Sequence, residues 1–268
     1  MHILRKGKKI IMNPSNTPND GAELHRNKGI YLLPNLFTTS GLFAGFYAIV
    51  AAMRGDFEYA AIGIFVAMIM DGLDGRVARL TNTQSAFGAE YDSLADVVSF
   101  GVAPALITYS WGLSSLGKPG WLVAFFFAAA TALRLARFNS RLDVQDKKYF
   151  QGLPCPSAAG LVAGMIWVAH DYGVPGHQLW VIAAVVTLIT GALMVSNIGY
   201  YSFKELDLKG RVPFVAVLAV LLIIVCVSID PPLVLLSAFA LYVLSGPVLS
   251  IKRRISIWRR NHKGKEAS

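Results

Sequence analysis

The sequence predicts an all-α, polytopic membrane protein with about eight transmembrane helices. Three observations carry the prediction. The 268 residues are 54% hydrophobic and only 15% charged, with a mean hydropathy of +0.51, whereas a soluble domain carries about 25% charged residues. Several apolar runs reach about 18 residues or more, the length a helix needs to cross a bilayer. Finally, all but Arg54 and Lys118 of the 25 Lys and Arg fall into alternate connecting segments. By the positive-inside rule those segments, and both termini, face the cytoplasm. The net charge of +9 is then the charge of cytoplasmic loops, and no nucleic-acid partner is expected.

Residues 1–28 hold Arg5, Lys6, Lys8, Lys9, Arg26 and Lys28 among Pro, Asn and Gly. They read as a basic cytoplasmic tail attracted to lipid, with no cleavable signal peptide. The membrane-embedded domain is placed at 29–251. Its spans run over 31–53, 57–79, 92–112, 120–138, 156–171, 178–196, 212–229 and 232–250. The first opens at Pro34, and Asn35 and Thr38 can cap it. The fifth follows the stiff turn FQGLPCP of residues 150–156. Only Asp230, Pro231 and Pro232 separate the last two. Residues 252–268 form a second basic cytoplasmic tail. The cysteines, Cys155 and Cys226, lack metal-ligand spacing and read as small apolar fillers.

The unusual chemistry lies between Asp71 and Asp96, at the inner ends of the second and third spans. Asp71 and Asp74 are three apart, and Asp92 and Asp96 four apart, so each pair shares a helix face. A short connection makes the two helices antiparallel neighbours, and the pairs can converge. Four carboxylates near a membrane need compensating charge, which two divalent cations would supply. An all-oxygen ligand set favours Mg²⁺ or Mn²⁺ over zinc, and two such ions form a known clamp for phosphoryl chemistry. Gly75 and Gly88 each lie one turn from an aspartate, where a missing side chain admits a helix or a ligand. Arg79 can meet a phosphate at the membrane edge or anchor the helix there.

The stretch D-x-x-D-G-x-x-A-R, eight residues, then G-x-x-x-D-x-x-x-D resembles the signature of the CDP-alcohol phosphotransferases. Asp71, Asp74, Gly75, Ala78, Arg79, Gly88, Asp92 and Asp96 match it without a gap. The resemblance implies a six-helix core, a two-metal site, and transfer of a phosphatidyl-type group from a CDP-linked lipid with release of CMP. It implies that Asp71, Asp74, Asp92 and Asp96 ligate metal, with Asp96 also the general base. It implies that Gly75, Ala78, Arg79 and Gly88 line the CDP pocket, and suggests a homodimer. Asn35 and Thr38 fall in a PN-x-x-T stretch that lies beside the diphosphate in the family, unless they only cap the helix.

The acceptor is read from other stretches. RLARFN over residues 134–139, FQGLPCP over 150–156, and the segment from Met194 to Lys204 are similar to the bacterial, membrane-embedded, serine-using branch of the family. That branch would take CDP-diacylglycerol and L-serine. Arg134 and Arg137, three apart, would give a paired face for the serine carboxylate, or would anchor the helix at the membrane edge. Asn139 would bond the serine amine or cap a helix. Choline would favour an aromatic cage, which weighs against phosphatidylcholine synthesis; phosphatidylglycerophosphate synthesis stays open. An ion or proton transporter also carries intramembrane carboxylates, but these cluster at one end and no charged path continues outward. A prenyltransferase would separate its aspartate motifs more widely. The expected location is a bacterial plasma membrane, with the site facing the cytoplasm.

Overall fold

The computed structural model describes residues 32–140, 149–201 and 214–266. The basic N-terminal tail lies outside the described residues. The eight expected helices are present. Helix α1 (Leu32–Met53) and helix α2 (Phe57–Leu80) are joined by three residues. Gly55 sits at φ +84 in that turn, a backbone region open to glycine because it lacks a Cβ. The turn sends α2 back along α1, so that Gly63 meets Ala48 and Gly41 meets Met70.

Helix α3 spans Ala86–Trp111. It is α-helical over Ala86–Asp96 and Ala103–Trp111, with a π turn over Val97–Val102 between them. The helix starts six residues before the expected position 92. Ser85 is the reason: it takes an extended conformation (φ −136, ψ 153), and its Oγ accepts from the Gly88 amide at 3.0 Å. That is a side-chain N-cap. The connection from α2 is therefore only residues 81–85.

Helix α4 is Lys118–Asn139 and α5 is Cys155–Asp171, each with proline in its first turn, where the missing N–H costs nothing. Helix α6 is Trp180–Val195 and α7 is Phe214–Ile229. Helix α8, Pro231–Glu266, follows after a single residue. That residue, Asp230, accepts from the Leu233 amide at 3.1 Å and caps it. Helix α8 runs without a break through the boundary expected at 251. Beside the expected helices stands a small antiparallel ribbon, β1 (Tyr149–Gln151) with β2 (Gly199–Tyr201).

The interior is rich in alanine, with Ala48, Ala60, Ala61, Ala103, Ala158 and Ala183 fully enclosed beside larger side chains such as Phe100 and Phe127. Large apolar side chains such as Phe43, Leu122, Ile182 and Leu244 point outward. Alanine at helix contacts and large apolar side chains outside is the pattern of helices that pack closely and face lipid. Four segments, Leu33–Met53, Ala86–Trp111, Lys118–Asn139 and Pro231–Ser250, are long and apolar enough to cross a membrane, with shorter apolar helices beside them. The chain is an all-α polytopic integral membrane protein.

Candidate active site

Three helices meet at one end of the bundle. Helix α2 brings Asp71 and Asp74, α3 brings Asp92 and Asp96, and α1 brings Thr38. Carboxylate oxygens of Asp71, Asp74 and Asp92 all lie within 4.8 Å of one another. Asp74 is buried, and the Thr38 hydroxyl donates to its Oδ2 at 2.7 Å. Asp96 stands outside that three-carboxylate group but lines the same narrow space, together with Gly41 and Ser99. It feels the charges of Asp71, Asp92 and Asp74 and, opposing them, that of Arg134. The donor set is all oxygen, clustered and partly withdrawn from solvent, which suits a hard divalent cation.

The π turn follows directly after Asp96. Such turns insert one residue into a helix and often sit beside functional groups. Here Ser99 donates to the Gly41 carbonyl at 3.2 Å. Gly45 leaves the room, since a Cβ there would come within 2.6 Å of the Ser99 hydroxyl. The turn is thus wedged against α1 on one side. On the other, Gly101 lies against Thr131 of α4.

A cavity of about 320 Å³ opens beside the carboxylates, with Asp74 and Asp92 in its wall. This is within the usual range for small-molecule sites. Asn35, Thr38, Gly75, Ala78, Arg79 and Gly88 all line it, so the structure brings these six residues together. Gly75 and Gly88 face the space, and Asn35 comes within 3.4 Å of where a Gly88 side chain would begin. Thr83, Gln84 and Ser85 also line the cavity and were missed. Their signal was the polar run TNTQS over residues 81–85, which ends in an N-cap residue.

The three residues assigned to serine part company. Arg134 is 8% exposed; its Nη1 donates to Cys155 Sγ at 3.4 Å, and its Nε has no partner among the described residues. Arg137 instead donates to the carbonyls of Val195 (3.0 Å), Met194 (3.2 Å), Ser196 (3.2 Å) and Gln151 (3.4 Å). It satisfies the open C-terminal carbonyls of α6 and ties them to β1. The two guanidiniums thus differ in surroundings: that of Arg134 is buried toward Asp96, and that of Arg137 is held by backbone carbonyls and, at 3.4 Å, by the Asn197 amide oxygen. Asn139 donates to Ser93 Oγ at 3.0 Å, joining α4 to α3 beside Asp92.

A polytopic helical bundle with an acidic cluster beside a headgroup-sized cavity defines an integral membrane protein able to hold a divalent cation at its polar edge. Residues 31–195 match the model of the CDP-alcohol phosphatidyltransferase family, and the chain belongs to that family. The match ends where α6 ends. A CDP-diacylglycerol–serine O-phosphatidyltransferase of Helicobacter pylori is 42% identical over 219 residues, covering 81% of this chain and 90% of the relative. One of Mycobacterium tuberculosis, with the same description, is 37% identical over 182 residues, 63% of each chain. One of Methanocaldococcus jannaschii is 40% identical over 142 residues, 53% of this chain and 63% of the relative.

Proposed function

We propose that this protein transfers the phosphatidyl group of CDP-diacylglycerol to the hydroxyl of L-serine, releasing CMP. The observation that carries the reading is the sharing of Asp74 and Asp92 between the carboxylate cluster and the cavity wall. A bound diphosphate would lie against the metal ligands. The names of the relatives support serine as acceptor.

In this reading Asp71, Asp74, Asp92 and Asp96 hold two divalent cations, Mg²⁺ or Mn²⁺. Bound there, the cations would neutralise the carboxylates and polarise the phosphate oxygens. Asn35, Thr38, Gly75, Ala78, Arg79 and Gly88 hold the CDP headgroup, and Thr38 also orients Asp74. Serine's hydroxyl gives its proton to Asp96. Its oxygen bonds to the lipid-linked phosphorus as the bond from that phosphorus to the CMP oxygen breaks. Arg134, a buried cation with an unused N–H, meets the serine carboxylate, and Asn139 closes the same side. The alternation of Lys and Arg along the chain supports a cytoplasmic site and cytoplasmic termini in a bacterial plasma membrane. Resemblance to the family supports a homodimer.

The test is CMP release from CDP-diacylglycerol with serine, glycerol 3-phosphate, inositol and choline offered separately. Serine alone should support release, and only with Mg²⁺ or Mn²⁺ present. Release with another alcohol and not with serine overturns the acceptor; cation flux in liposomes without CMP release overturns the reaction.

A further inference from the structure

Helix α8 lies beyond the residues that match the family model, yet it reaches the acceptor side of the site. The contact runs through the ribbon. Strand β1 pairs with β2 in the register Tyr149 to Tyr201, Phe150 to Tyr200 and Gln151 to Gly199. On one side the ribbon is tied to the helix ends that frame the site. Arg137 holds the Gln151 carbonyl. The Gly152 amide donates to Ile198 at 2.9 Å, and the Leu153 amide to Leu193 at 3.0 Å. Two residues after Leu153, Cys155 receives Arg134.

On its other side the ribbon is held to α8 through two tyrosines. The Tyr200 hydroxyl donates to the Val243 carbonyl at 3.1 Å, and the Tyr242 hydroxyl donates to the Tyr201 carbonyl at 3.1 Å. Their rings lie 5.7 Å apart. The Val243 carbonyl is available for a local reason: its helical partner would be the amide of residue 247, and residue 247 is proline. Gly246 leaves the space, because a Cβ there would run into the Tyr200 ring. Tyr200 is fully buried. Burial pushes its phenol up to about 12, so it stays a donor at any working pH. Tyr242 lies within electrostatic reach of Arg134, and α5 packs on α8 where Gly160 meets Phe239 and Gly164 meets Leu236.

We propose that Tyr200 and Tyr242 are positioning residues for the acceptor half of the site: by hooking the ribbon to α8, Tyr200 at the Val243 carbonyl that Pro247 frees and Tyr242 at the Tyr201 carbonyl, they hold Arg134 and its Cys155 support where the acceptor's carboxylate binds. This rests on the serine reading above. The C-terminal helix thereby sets affinity for the acceptor without touching it, while the CDP cavity, built from α1 to α3, is independent of the hook.

The experiment measures kcat and both KM values in the full chain for Y200F, Y242F, the double variant and P247A, with thermal unfolding in detergent alongside. Wild type is run first with all four alcohols, so a failure of the serine reading shows there, and the variants are then read on the alcohol the enzyme uses. The serine KM should rise about three- to tenfold in the single variants, one hydrogen bond's worth, and further in the double, with the CDP-diacylglycerol KM unchanged. P247A gives Val243 back its helical N–H and removes a helix breaker. It should raise the serine KM while leaving the unfolding temperature equal or higher, a combination that general destabilisation does not produce. An unchanged serine KM in the folded double variant overturns the proposal, as does a parallel change in both KM values. If the double variant does not accumulate, the single variants and P247A decide by the same split.

Discussion

Asp71, Asp74, Asp92 and Asp96 reach the site from two helices joined by five residues. Arg134, Cys155, Tyr200 and Tyr242 come from α4, α5, β2 and α8, separated by more than a hundred positions. The first group is a local device. Helical spacing and a short turn are enough to converge the carboxylates, so the whole arrangement is written in one stretch. The second group is assembled by packing, and its members make sense only through the atoms they touch. On the proposed roles, the reaction chemistry would be written in a motif while the choice of acceptor is distributed over the fold.

Changes on the two sides should separate them. The largest effect belongs to the carboxylates. Asp71→Asn or Asp92→Asn, and chelation of divalent ions in the wild type, should lower CMP release by about 10³-fold or more without loss of folded protein. Activity within tenfold of wild type would remove the cluster from the chemistry. Next comes Asp96→Asn, which should lower kcat by about 10²–10⁴-fold while binding of CDP-diacylglycerol persists; near-normal turnover would take away its role as base. On the other side, Arg134→Ala should raise the serine KM by about 10–100-fold, the range for a hydrogen bond to a charged group. Arg137→Ala should instead lower the unfolding temperature and disturb both substrates, because it leaves several carbonyls without a donor. Equal, serine-selective effects at both arginines would instead favour the paired face. The smallest effect is expected from Gly88→Ala. Its Cβ would lie 3.1 Å from Ser85 Oγ and 3.4 Å from Asn35 Oδ1, which should raise the CDP-diacylglycerol KM a few-fold and leave serine kinetics alone.

The same contrast explains what could be read beforehand. Eight helices follow from apolar length and basic alternation, since both are properties of the chain and need no partner. The aspartates and their flanking glycines follow from spacing. The start of α3 does not, because Glu90, Asp92 and Asp96 dilute the apolar run, and the boundary is set by the single hydroxyl of Ser85. The π turn over Val97–Val102 leaves no trace either: its residues are apolar or small throughout, so one extra residue changes no visible period. The ribbon is three residues per strand, too short to show alternation. Arg137 reads as half of a pair because sequence shows charge and spacing, whereas four of the acceptors it meets are backbone carbonyls, which every residue has. Residues 141–148, between two of the acceptor stretches, and 202–213, which include the end of the third at Lys204, lie outside the described residues.

Helix α8 continues for sixteen residues past Ser250, where its apolar span ends. At about 1.5 Å per residue this makes a stalk of about 24 Å, continuous with the helix that carries Gly246. A cargo joined rigidly to that stalk would act on it as a lever, with the fulcrum inside the bundle. Attached through a flexible linker, the same cargo would exert no torque. Rigid fusion at the C-terminus should therefore change acceptor kinetics more than a flexible fusion of equal mass, and identical kinetics from the two would show that the stalk is mechanically uncoupled.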